Sequence, residues 1–185
     1  MTATWTRPGE VVRPSIGSGT VANNSGLTIS AEIRDAIVAH ARRDHPDEAC
    51  GVVAGAFGSD RPTRFVPMVN AAMSPTFYEF DSGDLLRLYR DMDDRDEEPV
   101  VVYHSHTATE AYPSRTDINL ASEPNAHYVL VSTRDGAHEA GPVDFRSYRI
   151  SDGQVTEEEV TVVERYPDDA PVDSTDHRTD QKEHS

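Results

Sequence analysis

Two histidines, His104 and His106, stand at i and i+2 behind the apolar run Val100-Val101-Val102, which reads as a buried β-strand. Alternate residues of a strand share a face, so both imidazoles have one outlook. Nitrogens that converge about 2.0 Å from a shared ion are what a zinc site requires, and Asp117 downstream offers an oxygen as a third ligand. Three protein ligands leave a position open on a four-coordinate ion. That is the mark of a catalytic zinc, where bound water is activated near neutral pH.

Such chemistry needs a group to move protons, and a carboxylic acid near the metal is the usual choice. Glu48 is the candidate, in His45-Pro46-Asp47-Glu48-Ala49-Cys50-Gly51-Val52-Val53, at the start of a second apolar strand. Each of these residues also has a plainer reading. A His-x-His pair is often only hydrogen-bonded within its strand, and Glu48 could be one more surface acid beside Asp47. Ser114 and Asp117 suit the N-cap and first turn of a helix, worth about 0.5–2 and about 0.3–1 kcal/mol respectively. The ligand and helix-turn readings of Asp117 are compatible, since a first-turn carboxylate is already oriented by its cap.

The surrounding pattern supplies the elements that must hold these residues. Leu27 to Ile29 reads as a short strand, followed by a helix with Ser30 as N-cap and Ile33, Ala36, Ile37 and His40 on one face, ending before Pro46. Cys50 to Phe57 and Arg64 to Val69 form a hairpin across a Gly-Ser-Asp-Arg-Pro turn, with Phe77 to Phe80 as a further strand. A helix capped by Asp81 or Ser82 carries Leu85, Leu86, Leu88, Tyr89 and Met92 and runs out in the acidic block before Pro99. After the His-Ser-His strand come a helix start at Ser114 and strands at Tyr128 to Ser132, Phe145 to Ile150 and Gln154 to Val163. The fold class is α/β in the broad sense, an α+β mixed sheet flanked by helices. The expected organisation is a disordered extension over residues 1–26, a domain over 27–163 and a disordered acidic tail over 164–185.

The composition narrows the partners. With 17 basic against 33 acidic residues and a net charge of −16, nucleic acid and anionic membranes are disfavoured. No apolar run approaches the roughly 18 residues of a membrane span, and residues 1–26 carry no signal-peptide core. The single cysteine, Cys50, permits no intramolecular disulfide and sits on a strand that should be buried, so it reads as core. These features point to the cytoplasm. Ser105 faces away from the histidines, and His40, His45, His127, His138, His177 and His184 lack matching partners, which leaves them solvated or structural roles. The oligomeric state stays open, a homodimer included.

A glutamate before a Cys-Gly strand, then His104-Ser105-His106, seven residues, Ser114, two residues and Asp117, resembles the JAMM (MPN+) zinc metalloprotease signature with every position filled. The resemblance covers about residues 27 to 150 and implies the JAMM/MPN, cytidine-deaminase-like architecture with one zinc ion per chain. It implies ligands His104, His106 and Asp117, Glu48 as general base, and Ser114 as donor to the oxyanion of a tetrahedral intermediate. His-Ser-His-Thr-Ala-Thr-Glu-Ala-Tyr-Pro-Ser-Arg-Thr-Asp is most similar to the actinobacterial branch, which hydrolyses cysteine from a ubiquitin-like sulfur carrier of the CysO type. The implied partner is thus a carrier with a Gly-Gly tail, and the implied reaction releases free cysteine in cysteine biosynthesis. A side-chain-free tail suits a narrow groove, expected beside the strand that carries the histidines. The alternatives are a JAMM peptidase acting on another carrier adduct or isopeptide, and an MPN module that binds without turnover.

Overall fold

The computed structural model describes residues 26–167. Of the extensions expected over residues 1–26 and 164–185, residues 1–25 and 168–185 lie outside the described residues. Seven strands form one mixed sheet: β1 (Gly26–Ser30), β2 (Cys50–Ala56), β3 (Arg64–Met68), β4 (Glu97–His106), β5 (His127–Ser132), β6 (Asp144–Ser151) and β7 (Gln154–Val163). Their spatial order is β1-β7-β6-β5-β4-β2-β3. The β1–β7 and β4–β5 pairs are parallel and the other neighbours antiparallel.

Helix α1 (Ala31–Asp44) starts where predicted, with the Ser30 hydroxyl accepting from Ile33 N–H. Its buried side, Ile33, Ile37, Val38 and Ala41, packs on one face of the sheet against Val53, Val101, Tyr103, Val129 and Val131. Burying a side chain of this kind is worth about 1.5–3 kcal/mol. His40 joins this layer: Nδ1 lies 2.6 Å from Tyr103 Oη and Nε2 2.9 Å from the Asp44 carboxylate, so its role is structural. Tyr103 needs the bare backbone of Gly51 beside it, since a Cβ there would stand 2.5 Å from the phenol oxygen and 2.6 Å from Val66 O.

The opposite face carries α2 (Ser82–Asp94) and the short α3 (Arg115–Leu120). Asp81 caps α2 by accepting from Gly83 and Asp84 N–H. Leu88 and Met92 bury against Val52, Ala54 and Met68, with Leu85 and Tyr89 alongside. Leu86 stays exposed, because the 3.6-residue period carries it off the face that residues 85, 88, 89 and 92 share.

Three expectations change. Residues 77–80 form no strand; only Phe80 bridges to Asn70, because the Asn70 side chain takes the Phe77 carbonyl and the Glu79 N–H that a ladder would use. β4 begins before Pro99, which its pairing tolerates because β5 joins β4 only from Val101 onward. β4 also has no open edge beside its histidines, being paired to β2 on one side and β5 on the other. The groove expected along that strand is therefore absent as a sheet edge. Past β7, Tyr166 returns to the fold, its hydroxyl donating to Pro62 O and its ring under the Arg61 guanidinium.

Candidate metal centre

The alternation of β4 sends Val101, Tyr103 and Ser105 toward α1, and Val102, His104 and His106 toward the α2 and α3 side. Both histidines are buried, at 2% and 6% exposure. Their Nε2 atoms lie 3.2 Å apart. One Asp117 carboxylate oxygen lies 3.4 Å from each of them. Ligands about 2.0 Å from one ion at tetrahedral angles stand about 3.3 Å from each other, so this triangle fits a four-coordinate cation. It is the one such cluster of acids, histidines and cysteine among the described residues.

Asp117 is delivered by α3. Ser114 caps that helix in a reciprocal box: its hydroxyl accepts from Asp117 N–H at 3.2 Å, and its own N–H donates to the Asp117 carboxylate at 2.6 Å. Burial alone would raise the Asp117 pKa; hydrogen bonds from His104, His106 and Ser114 outweigh it and hold the carboxyl well below the ordinary range. The same contact, with Glu110 O, lifts His106 against its burial, whereas burial dominates at His104 and lowers it. His106 is fixed from behind, with Nδ1 2.9 Å from Glu110 O and 3.0 Å from Thr109 Oγ1.

Glu48 reaches the same place from β2. The β2–β4 register pairs Cys50 with His104 and continues through Ser105 N–H donating to Ala49 O, so the next outward position sets Glu48 opposite His106. Opposed residues of an antiparallel pair share a face. Glu48 is 5% exposed. Burial pushes its carboxyl up to about 7, tempered by the charge of His106 and reinforced by that of Asp117. Its backbone is clamped, N–H to Ser74 O and C=O from Asn70 Nδ2.

All five residues singled out by the sequence thus meet at one end of β4. Ser105 is hydrogen-bonded, accepting from Ala49 N–H at 2.8 Å, and Cys50 is core, its thiol pushed by burial to about 12. Sequence reasoning missed the supports: Asn70, Tyr78, and the Thr109 and Glu110 contacts on His106. Tyr78 stacks on His104 with ring centroids 4.6 Å apart. No spacing rule joins Asn70 and Tyr78 to the histidines, because the loop that carries them follows β3, whereas Thr109 and Glu110 lie three and four residues past His106.

A family profile described as prokaryotic homologs of the JAB domain matches residues 30–151. The chain belongs to that family and is a peptidase of the JAMM/MPN class. Among its relatives is the CysO-cysteine peptidase of Mycobacterium tuberculosis, 66% identical over 140 residues that span 76% of this chain and 93% of the relative. The desampylase of Haloferax volcanii is 33% identical over 135 residues, 69% of this chain and 97% of the relative. The solution structure of protein DSY2949 from Desulfitobacterium hafniense matches with a TM-score of 0.64 and 30% identity, covering 76% of this chain and 94% of that one. No helix among the described residues is long and apolar enough to cross a membrane.

Proposed function

We propose that this chain, through its domain at residues 27–163, is a zinc-dependent hydrolase that removes cysteine from the Gly-Gly end of a ubiquitin-like sulfur carrier. The observation that carries the reading is the triangle of His104, His106 and Asp117 ligand atoms with a buried Glu48 carboxyl beside it. His104 Nε2, His106 Nε2 and an Asp117 oxygen would hold the ion. Zinc bound there supplies Lewis acidity toward the scissile carbonyl and lowers the pKa of water.

The protein's own groups do the rest. Glu48, poised between acid and base near pH 7, accepts the proton of the attacking water and returns it to the departing amine of cysteine. Ser114 spends its oxygen lone pair on Asp117 N–H, which leaves its O–H hydrogen to donate to the carbonyl oxygen as negative charge develops there. The recessed position of both histidines favours a substrate tail of glycines, which can approach without side chains.

The substrate assignment is supported by the 66% identity to the mycobacterial CysO-cysteine peptidases. The Haloferax desampylase supports a second reading, hydrolysis of another ubiquitin-like carrier adduct. One lone, buried cysteine accords with work in the cytoplasm. The test is intact-mass spectrometry of a carrier extended by one cysteine after Gly-Gly, incubated with the zinc-loaded protein with and without a chelator. Loss of one cysteine, abolished by chelation, is the expected result. No change with zinc-loaded protein, alongside cleavage of a carrier–lysine isopeptide, would transfer the assignment to the second reading.

A further inference from the structure

The two imidazoles are supported differently. His106 is oriented by hydrogen bonds at Nδ1, while His104 Nδ1 is buried with no hydrogen-bond partner among the described residues. A ligating histidine without an acceptor on its second nitrogen needs another constraint on its ring plane, since that plane aims the Nε2 lone pair. Tyr78 is the group in position to supply it. Its ring lies over His104 at 27° between planes, and Phe80 meets Tyr78 edge-on at 5.4 Å.

The tyrosine is itself held from both sides by one buried side chain. Asn70 donates to Phe77 O and accepts from Glu79 N–H, the two peptide groups that flank Tyr78. Its second donor hydrogen goes to Glu48 O, and Oδ1 also accepts from Ala72 N–H. A single carboxamide with every hydrogen-bonding capacity used thus fixes the Tyr78 loop against the segment that carries Glu48.

We infer that Tyr78 is a positioning residue for His104: its stacked ring, locked by Asn70, sets the imidazole plane where a hydrogen bond sets that of His106. This rests on the zinc reading above. The aromatic face is what matters, so phenylalanine should serve and an aliphatic side chain should not.

The experiment measures zinc affinity by competition with a chromophoric chelator for wild type, Tyr78→Phe and Tyr78→Leu, each checked for folding by circular dichroism without metal. Wild type and Tyr78→Phe should bind one zinc equally, and Tyr78→Leu about 10–100-fold more weakly. Wild-type affinity in a folded Tyr78→Leu overturns the inference. NMR of the zinc-free wild type gives an independent reading: the carbon-bound ring protons of His104 should be shifted upfield by the stacked ring. Unshifted resonances overturn the inference even if the leucine variant does not fold. Absence of zinc binding by a folded wild type would instead sink the zinc reading, with the ring shift still reporting on the stack.

Discussion

His104 Nε2 lies 3.2 Å from His106 Nε2, with both atoms facing one Asp117 oxygen. Of the three ligand atoms that converge here only Asp117 brings a formal negative charge, which favours a cation at the point they face. Asp117→Asn keeps the shape and removes the charge. It should weaken zinc binding by more than the roughly 10–100-fold that loss of an outer partner costs. Chelator competition measures this, and unchanged affinity would remove Asp117 from the ligand set.

Glu48 gives a pH-dependent signature. Its carboxyl titrates near 7 in the fold against an ordinary value of 4.5. Between those values the unfolded chain has released the proton that the folded chain retains. The Glu48 contribution to stability is therefore fullest below about 4.5 and falls as pH rises, levelling off above about 7. At about 1.36 kcal/mol per unit the loss is at most about 3.4 kcal/mol. Urea unfolding of chelated protein at pH 5 and 8 should show this decline in wild type and a smaller one in Glu48→Gln. The variant should keep its zinc and lose turnover by about 10²–10⁴-fold. Retained turnover would take Glu48 out of the mechanism.

Ser114 has two roles that substitutions separate. Ser114→Ala removes the cap of α3 and the hydroxyl together, costing about 0.5–2 kcal/mol of stability and about 10²–10³-fold in kcat. Ser114→Asp restores a capping acceptor without a hydrogen to donate. Stability should recover while kcat stays low; recovery of both would reduce Ser114 to a cap.

The net charge of −16 bears on the substrate. A carrier drawn by complementary charge associates more slowly as salt screens the attraction. Steady-state kcat/KM for the carrier–cysteine adduct should fall between low and physiological ionic strength with kcat unchanged. A flat profile would exclude electrostatic steering.

The site was legible where its logic is local. The i, i+2 spacing of His104 and His106 follows from strand geometry, and Ser114 with Asp117 from a helix start, so both could be read without the fold. Glu48 needed the family pattern, because its approach to His106 depends on the β2–β4 register. Asn70 and Tyr78 were invisible for the same reason carried further. Their positions depend on a loop whose backbone is organised by a side chain, which also explains why residues 77–80 resemble a strand in composition and are not one. The groove was misplaced because alternation identifies which residues share a face of β4 and says nothing of which strands flank it.

His127 illustrates the same limit and supplies a control far from the site. Fully buried at the N-terminal end of β5, it has Nδ1 2.6 Å from Glu158 and Nε2 2.9 Å from Asp60, with Arg149 on both carboxylates. These partners come from β7, the β2–β3 loop and β6, so no sequence pattern could have announced them. His127→Leu leaves one Glu158 oxygen short of a buried partner while Arg149 and Ser147 continue to hold the residue. The cost should be that of one hydrogen bond to a charged group, about 1.5–3 kcal/mol. His106 pairs with Ser132 at the other end of the parallel β4–β5 ladder, about 17 Å away at about 3.3 Å per residue. The variant should therefore unfold at lower urea yet bind zinc and turn over normally while folded. A loss of zinc affinity in folded His127→Leu would mean that the two ends of β5 are coupled, which nothing in the hydrogen-bonding of the sheet requires.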